Sequence, residues 1–176
     1  MSSELFLPKA SVRFGNHPLP SLFSIEGPTT GVSILAPGGT TSGLTIWNPA
    51  ASGMVINIHR ILATPITSAS VVSPIGLEYA SELPTGGTTL TPVALPLGNS
   101  NPPKTKAASG ATITAMTYFC TLLGVSGTAG AMQSPIERDL TGLLFLEPGM
   151  AINLVSLTSQ VSDKFAVNVI CSEWLL

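Results

Sequence analysis

Glycine and proline recur at short intervals along this chain, and their spacing is the feature that most restricts its fold. Seventeen glycines and fifteen prolines occur in 176 residues, which leaves little room for helices of ten or more residues. The segments between them are short, apolar and rich in β-branched residues, as strands are. The clearest runs are 31–35, 44–47, 54–62, 111–119, 143–146, 151–157 and 165–171, with weaker runs at 69–79 and 88–95.

Several of these runs alternate between apolar and small or polar residues. Phe165, Val167 and Val169 alternate with Ala166 and Asn168, so one face of this strand is expected to be buried and the other not. About eight short strands joined by Gly/Pro turns indicate a sandwich or barrel. We predict an all-β fold, an antiparallel β-sandwich of jelly-roll type, and the length indicates one domain.

Two segments do not fit a minimal sandwich. Residues 1–30 contain four prolines among mixed apolar positions, which predicts an extended N-terminal arm. The sandwich then covers 31–176, with a long irregular loop at about 80–110 that is rich in Gly, Pro, Asn and Ser. A long irregular stretch in a compact domain is usually functional. Both segments are candidates for reaching a neighbouring subunit.

Charge is unusually scarce. Charged residues make up 9% of the chain, the formal net charge is −2 and the mean hydropathy is +0.46, whereas about 25% of residues are charged in a typical soluble domain. No apolar run reaches the roughly 20 residues of a membrane-spanning helix, and the first residues lack the basic region of a signal peptide. We expect a soluble protein, not secreted by that route, much of whose surface is covered by partner subunits.

The residues that could carry chemistry are few. Nucleophilic catalysis needs serine or cysteine beside a base, but His17 and His59 have no evident partner in the sequence. Two isolated histidines with Cys120 and Cys171 match no metal-ligand spacing. We expect no enzymatic activity, no metal and no cofactor. Both cysteines are expected to be buried and reduced, with a disulfide as the open alternative.

Two pairs of acidic residues could in principle serve general acid–base chemistry in a cleft. They are Glu78 with Glu82 and Glu137 with Asp139, and both pairs lie in predicted loops or strand ends. We interpret them as solvated charges, or in the second pair as an ion pair with Arg138.

Binding motifs for nucleotides and nucleic acids are also missing from the sequence. The glycine-rich segment 124–130 has no phosphate-binding spacing. The seven basic residues are scattered, whereas nucleic-acid binding proteins concentrate them in a stripe. We therefore expect neither a nucleic-acid partner nor a small-molecule substrate.

Three segments in order along the chain resemble a pattern in tailed-bacteriophage virion proteins. The first, 44–61, is a strand ending in Asn48-Pro49, small residues with Gly53, and a long strand, which we interpret as a hairpin. The others are 86–93, of the type Gly-Gly-Thr-Thr-Leu-Thr-Pro-Val, and the Leu-x-Pro-Gly strand entry at 146–150. With the final strand they cover about half of the chain.

This resemblance implies a cement or decoration protein on the outside of an icosahedral phage capsid. Such a protein would be a jelly-roll sandwich, a homotrimer, seated on major capsid subunits of the virion and made in the host cytoplasm. The family offers no catalytic residues to transfer. The residues expected to contact copies or capsid subunits are Leu5, Phe6, Leu7, Phe14, Leu19, Leu22, Phe23, Leu95, Leu97, Lys104 and Lys106.

Two other functions stay open at this point. A head-fibre, tail or baseplate subunit would use the same sandwich in a ring or stalk and would differ in symmetry. A carbohydrate-binding β-sandwich module would need several aromatic side chains on one face. Trp47, Trp174, Tyr79 and Tyr118 lie in or near predicted strands, but their order in the sequence indicates no such platform.

Overall fold

A computed structural model describes residues 21–34, 43–66, 73–95, 102–125, 136–156 and 164–176, with the backbone alone at 73, 120–125 and 136. The described residues form twelve strands and no helix. The strands, numbered in chain order, are β1 (Ser21–Glu26), β2 (Val32–Ser33), β3 (Leu44–Trp47), β4 (Met54–Pro65), β5 (Ser73–Ala80), β6 (Thr88–Leu90), β7 (Val93–Leu95), β8 (Lys106–Ser109), β9 (Thr117–Val125), β10 (Ile136–Leu146), β11 (Ala151–Ser156) and β12 (Lys164–Leu175).

The strands form two antiparallel sheets. The first sheet has the order β10-β4-β12-β1-β7, with β2 paired to the start of β12, and the second has the order β6-β8-β3-β11-β5-β9. Within them, β10-β4-β12-β1 opposite β3-β11-β5-β9 is the strand order of an eight-stranded jelly roll. The predicted all-β antiparallel sandwich is confirmed, and four short strands extend the eight of the jelly roll.

The core lies between the sheets and is almost wholly aliphatic. Phe165, Val167 and Val169 are buried, whereas Ala166 is exposed and Asn168 half-buried, so the predicted alternation of this strand is confirmed. Burying one large apolar side chain contributes about 1.5–3 kcal/mol. The largest fully buried side chains are Phe23, Phe165, Ile25, Ile34, Leu44, Ile46, Ile56, Ile58, Ile75, Leu77, Ile152 and Leu154.

The prediction that the arm extends to residue 30 is wrong at its C-terminal end. Strand β1 lies inside the first sheet, paired with β12 on one side and β7 on the other. Phe23 and Ile25 point into the core. The nearby prolines concealed this short alternating pattern in the sequence. Residues 1–20 lie outside the described residues.

The predicted irregular loop at 80–110 is in part regular. Strand β7 extends the first sheet beside β1, and β6 and β8 extend the second sheet beside β3. The three strands have only three or four residues each, too few for a visible period in the sequence. The segment 96–101 lies outside the described residues.

The end of this segment is tied to the first sheet by a buried carboxylate. The backbone N–H and the hydroxyl of Thr105 both donate to Oε1 of Glu173, at 2.5 and 2.8 Å. Both residues are buried, and hydrogen bonds to a charged group are stronger than those between neutral groups. The contact joins β12 to the chain just before β8, which belongs to the other sheet.

The Asn-Pro turn does not close the predicted hairpin. The local turn forms as expected, since the backbone N–H of Ser52 donates to the carbonyl of Pro49 at 3.0 Å and Gly53 has a φ of +65°. Strand β3 before it belongs to the second sheet, however, and β4 after it belongs to the first. The turn is therefore a crossing between the sheets, because turn residues set the reversal of the chain and not the strand's pairing partner.

Asn48 joins this crossing to a second one at residues 147–150, between β10 and β11. Its side-chain Nδ2 donates to the carbonyls of Met54 at 2.7 Å and Leu146 at 2.9 Å. Its backbone N–H donates to the carbonyl of Met150 at 2.9 Å, and its carbonyl accepts from the N–H of Gly149 at 2.8 Å. Asn48 itself is fully buried. One residue thus binds both chain segments that connect the sheets at this end.

We expect Asn48→Ala to lower the free energy of unfolding by about 2–4 kcal/mol. The buried carbonyl of Leu146 loses its donor, and the part-buried carbonyl of Met54 keeps only the Ser52 hydroxyl at 3.4 Å. Urea unfolding followed by far-UV circular dichroism measures it. Ser52→Ala, in the same turn, removes a half-buried hydroxyl that accepts from the N–H of Met54 at 3.2 Å and donates to its carbonyl at 3.4 Å. It should cost about 0.5–1 kcal/mol. Equal losses in the two variants would contradict the role given to Asn48.

Candidate interaction surface

A row of paired residues crosses the outer face of the first sheet. Leu95 lies opposite Leu22, Leu22 opposite Ser172, Ser172 opposite Asn57, and Asn57 opposite Phe145. Directly paired residues of antiparallel strands share one face. The flanking residues in β4 and β10 belong to the core or pack against it, so this row faces away from the core.

Trp174 lies on the same face, two residues beyond Ser172 in β12 and opposite Val55 of β4. Its Nε1–H donates to the Ser172 hydroxyl oxygen at 3.0 Å, which fixes the direction of the indole. Trp174 is 46% exposed and Phe145 is 51% exposed. We call this surface the Trp174 face, which consists of Leu22, Val55, Asn57, Leu95, Phe145, Ser172 and Trp174.

The exposed side chains of the Trp174 face are apolar, and the buried ones beneath them, next to the sheet, are polar. None of its seven residues is charged. Ser172 and Asn57 are almost fully buried although they point outward from the sheet. Nε2 of His59 lies 2.8 Å from the Ser172 hydroxyl oxygen, so that oxygen is held by both the indole and the imidazole. Exposed apolar surface with a fixed base is typical of interaction sites.

Charged residues group at one end of this face, where the pairing of β10 with β4 is interrupted by a register shift between Asp139 and Leu144. Arg60 forms an ion pair with Glu137 at 2.5 Å. The expected ion pair of the 137–139 segment with Arg138 is thus replaced by one with Arg60, a residue that is distant in sequence. The backbone N–H of Thr141 donates to Asp139 at 2.9 Å.

Burial lowers the pKa of His59, and the charge of Asp139 opposes this shift. The pKa of Asp139 is itself lowered, first by the hydrogen bond from the backbone of Thr141 and then by the one from its hydroxyl. At neutral pH this end of the face therefore holds an ionised carboxylate beside a neutral imidazole.

His59 and Ser172 have the distance of a base and a nucleophile. No partner of His59 is evident in the sequence because that partner lies 113 residues away along the chain. Ser172 is, however, 2% exposed in the middle of a sheet, and its oxygen also accepts from Trp174. A serine held in this way is not presented to a substrate. We interpret the pair as the support that orients Trp174.

The outer face of the second sheet is covered by the chain itself. Thr45, Asn153 and Glu78 form a row across β3, β11 and β5, and all three are buried. Ile113 and Met116, from the segment before β9, pack against residues of this face. Glu78 was interpreted as a solvated charge, which is wrong because this segment removes its position from solvent. Its predicted neighbour Glu82 accepts from the hydroxyl of Thr114.

One edge of the second sheet carries a pair of exposed aromatic rings. Tyr79 of β5 and Phe119 of β9 have ring centroids 5.8 Å apart and planes inclined by 68°. Both side chains are exposed. The rings meet edge to face, so they do not form one flat platform. This pair could not be predicted from the sequence, because only the pairing of β5 with β9 brings the two rings together.

The predicted contact residues that the structure describes fall into three groups. Leu22 and Leu95 lie side by side in the Trp174 face. Phe23 is fully buried in the core, so its assignment as a contact is wrong: it alternates with Leu22 and faces inward. Lys106, in β8, and Lys104 are both exposed, and both lie outside this face. The remaining contacts lie outside the described residues: Leu5, Phe6, Leu7, Phe14, Leu19 and Leu97.

Sequence reasoning missed Val55, Phe145 and Trp174. Phe145 belongs to a run of four apolar residues, Leu143 to Leu146, in which no alternation separates the inward from the outward positions. Trp174 continues the outward positions of β12 after Asn168 and Ser172, and that period could have revealed it.

Cys171 is a free thiol, buried in the core opposite Phe23. Burial, and to a lesser degree the charge of Glu173, raises its pKa. The expectation of a buried, reduced cysteine is confirmed for Cys171. The side chain of Cys120 lies outside the described part of the structure.

We expect the stability of the protein to fall as the pH decreases from about 7.5 to 5.5, through the unfolded-state pKa of histidine near 6.5. Burial lowers the pKa of His59 in the folded state, so the unfolded chain binds the proton more tightly and protonation favours unfolding. Urea midpoints measured across this range should depend less on pH in His59→Gln. An unchanged slope in His59→Gln would refute this assignment.

No group of three metal-ligating side chains occurs in the described ranges, which also contain no helix that could span a membrane. A shallow depression of about 160 Å³ beside Glu26, Leu62 and Asn168 is smaller than the roughly 300–1,000 Å³ of usual ligand pockets. No protein-family model, no curated protein and no solved structure matches this chain.

Proposed function

We propose that this protein is a non-enzymatic structural subunit of a virion, a cement protein that binds the outside of an icosahedral phage capsid and stabilises it. Its partners are copies of itself, as a trimer, and the major capsid protein. The observation that carries the proposal is the uncovered and uncharged Trp174 face. The phage context comes from the resemblance of segments 44–61, 86–93 and 146–150.

The energetics of the Trp174 face support a role in assembly. Burying one large apolar side chain contributes about 1.5–3 kcal/mol, and both Trp174 and Phe145 are about half exposed in the isolated chain. Tryptophan is enriched among the residues that dominate interface energies. The indole is held by Ser172 before a partner arrives, so little side-chain entropy remains to be lost on binding.

The distribution of charge supports the same role. The seven residues of this face carry no charge, so a partner can cover them without desolvating an ion that belongs to the face. Binding to the assembled shell and not to its separate subunits would stabilise the shell by mass action.

The test uses capsids prepared without this protein. Added full-length protein should co-sediment with them saturably and raise the temperature at which they release their genome. Phe145→Glu should weaken binding about tenfold or more, the effect of losing about 1.4 kcal/mol. Leu83→Glu is the matched control, since Leu83 is a similarly exposed apolar residue outside the Trp174 face, and it should bind as the wild type does.

Absence of binding, or binding without any change in capsid stability, would overturn the cement function. Immunogold labelling of intact virions separates the related alternatives. Gold on the shell agrees with the proposal, whereas gold confined to the tail, baseplate or head fibres would replace it by a structural role at that position.

A second candidate function, carbohydrate binding, has one observation in its favour: the exposed pair of Tyr79 and Phe119. Aromatic rings stack on sugars, although these two are inclined by 68° and only one at a time could stack. A glycan array probed with the wild type and with Phe119→Ala tests it. Binding of a defined glycan that Phe119→Ala abolishes and Phe145→Ala leaves intact would favour this function over the cement role.

A further inference from the structure

We propose that His59 controls the Trp174 face by way of Ser172. While the imidazole is neutral, Ser172 fixes the direction of the Trp174 indole and the face is ready to bind; protonation of the imidazole weakens that contact and the binding with it. The inference deepens the proposed function by adding control by pH at the same face, and it rests on that function for the partner. Three observations carry it: two hydrogen bonds at the Ser172 hydroxyl, a buried acceptor beside it, and the half-burial of His59.

The Ser172 hydroxyl connects the indole to the imidazole. An indole N–H donates and never accepts, so Nε1–H of Trp174 donates to the Ser172 oxygen, at 3.0 Å. The hydroxyl proton is left for Nε2 of His59, 2.8 Å from the same oxygen. Ser172 is 2% exposed, so water does not offer its hydroxyl another acceptor. We therefore assign the acceptor role to Nε2 and place the proton of the neutral imidazole on Nδ1.

Protonation of His59 reverses the direction of this bond. An imidazolium carries a proton on both ring nitrogens, so Nε2 becomes a donor to the oxygen that already accepts from Trp174. The hydroxyl proton of Ser172 then has to turn to another acceptor. Because a hydrogen bond from a charged donor is the stronger one, the imidazolium takes the better geometry at that oxygen, and the bond to the indole weakens.

Asn57 supplies an acceptor for the turned hydroxyl. It lies directly opposite Ser172 on the same face of the sheet and is 5% exposed. Its Oδ1 has no hydrogen-bond partner in the part of the chain that the structure describes. A buried oxygen without a donor costs free energy, and a bond from the turned hydroxyl would remove that cost. The face thus has two hydrogen-bond arrangements that differ by one proton on His59.

The charges that face His59 come from β10 and from β4 itself. Asp139 of β10 favours the charged imidazole and opposes the larger effect of burial on its pKa. Glu137 of β10 is bound to Arg60, the residue after His59 in β4. Asp139 is therefore a carboxylate that can attract the imidazolium. Because hydrogen bonds from Thr141 lower the pKa of Asp139, it stays ionised while His59 titrates.

Strand β12, on the other side of β4, adds no charge to this site. Glu173 points to the opposite side of the sheet, where it binds Thr105. The outward side chains of β12 near His59 are uncharged: Ile170, Ser172 and Trp174. A change at Trp174 between about pH 7.5 and 5.5 therefore reports on His59 and not on a neighbour in β12.

A partner that covers the face makes binding depend on the same proton. His59 is half-buried in the isolated chain, and a partner over Trp174 removes more water from it, which disfavours the charged imidazole. The free protein then binds the proton more tightly than the complex does. Affinity is therefore full above the pKa of His59 in the free protein and falls as the pH decreases through it.

NMR measures the contact at Trp174 without any partner. The chain has two tryptophans, Trp47 and Trp174, so the full-length protein labelled with ¹⁵N in tryptophan gives two indole N–H signals, and Trp174→Phe identifies the second. As the pH decreases from about 7.5 to 5.5, the Trp174 signal should move with the same midpoint as the imidazole signal of His59. The signal of Trp47 is the internal control and should not follow that midpoint.

Two variants separate this relay from a general effect of pH. His59→Gln keeps a side chain that can bond to Ser172 but does not titrate, so its Trp174 signal should stay in place. Ser172→Ala keeps the titration of His59 and removes the link, so the Trp174 signal should no longer follow it. A stationary Trp174 signal in the wild type would overturn the inference, as would one that still follows His59 in Ser172→Ala. The Trp47 signal reports whether each variant is folded.

Capsid binding measures the consequence for the face. The full-length wild type should bind about threefold or more weakly at pH 5.5 than at pH 7.5, whereas His59→Gln on the same capsids should bind about equally at both. Equal weakening of the two proteins would place the pH dependence in the capsid and reject the control by His59. Absence of binding at every pH rejects the cement function alone, and the NMR titration then decides whether His59 controls Trp174.

Discussion

The sandwich depends on how its two sheets are joined, and at one end Asn48 makes that join. In a jelly roll the chain passes repeatedly from one sheet to the other, and each crossing exposes backbone groups that no strand partner can satisfy. Here the side chain of Asn48 donates to carbonyls of Met54 and Leu146, and its backbone pairs with Gly149 and Met150. The two crossings therefore hold each other, and the β3–β4 and β10–β11 connections keep the sheets at a fixed offset.

The outer face of the second sheet is covered by the chain, whereas that of the first sheet is exposed. This difference links the fold to the proposed role. On the second sheet, Ile113 and Met116 cover a row of polar residues that includes Asn153, whose Nδ2 lies 3.7 Å from Sδ of Met116. The first sheet presents Trp174 and Phe145 to solvent instead. The proposed role rests on this difference, because exposed apolar surface is typical of interaction sites.

The sequence predicted the fold class well and the surface poorly, for physical reasons that differ. Strand formation is local: alternation in β12 and the density of Gly and Pro identify it without knowledge of the partner. The site depends on long-range pairing. His59 and Ser172 are 113 residues apart, and only the register of β4 with β12 brings them within 2.8 Å. Leu22 was correctly predicted to be exposed. Its neighbour Phe23 was wrongly predicted to be exposed as well, because apolar composition does not distinguish inward from outward residues.

The same limit explains the turn at Asn48-Pro49. Its residues correctly indicate where the chain reverses, and Gly53 takes the positive φ that its position needs. Whether the following strand pairs with the preceding one or joins the opposite sheet is decided by packing of Ile56 and Ile58 against the core. This pairing depends on packing against distant parts of the chain, so a short stretch of sequence cannot predict it.

The irregular outer strand of the first sheet has a consequence for how copies can meet. Strand β10 forms the edge of that sheet, and its register shift and the consecutive charges of Glu137, Arg138 and Asp139 make it a poor template for another strand. Open-ended growth by edge pairing, the route to fibrils, is therefore blocked along this edge. A contact at this edge would therefore join side chains and not backbone groups.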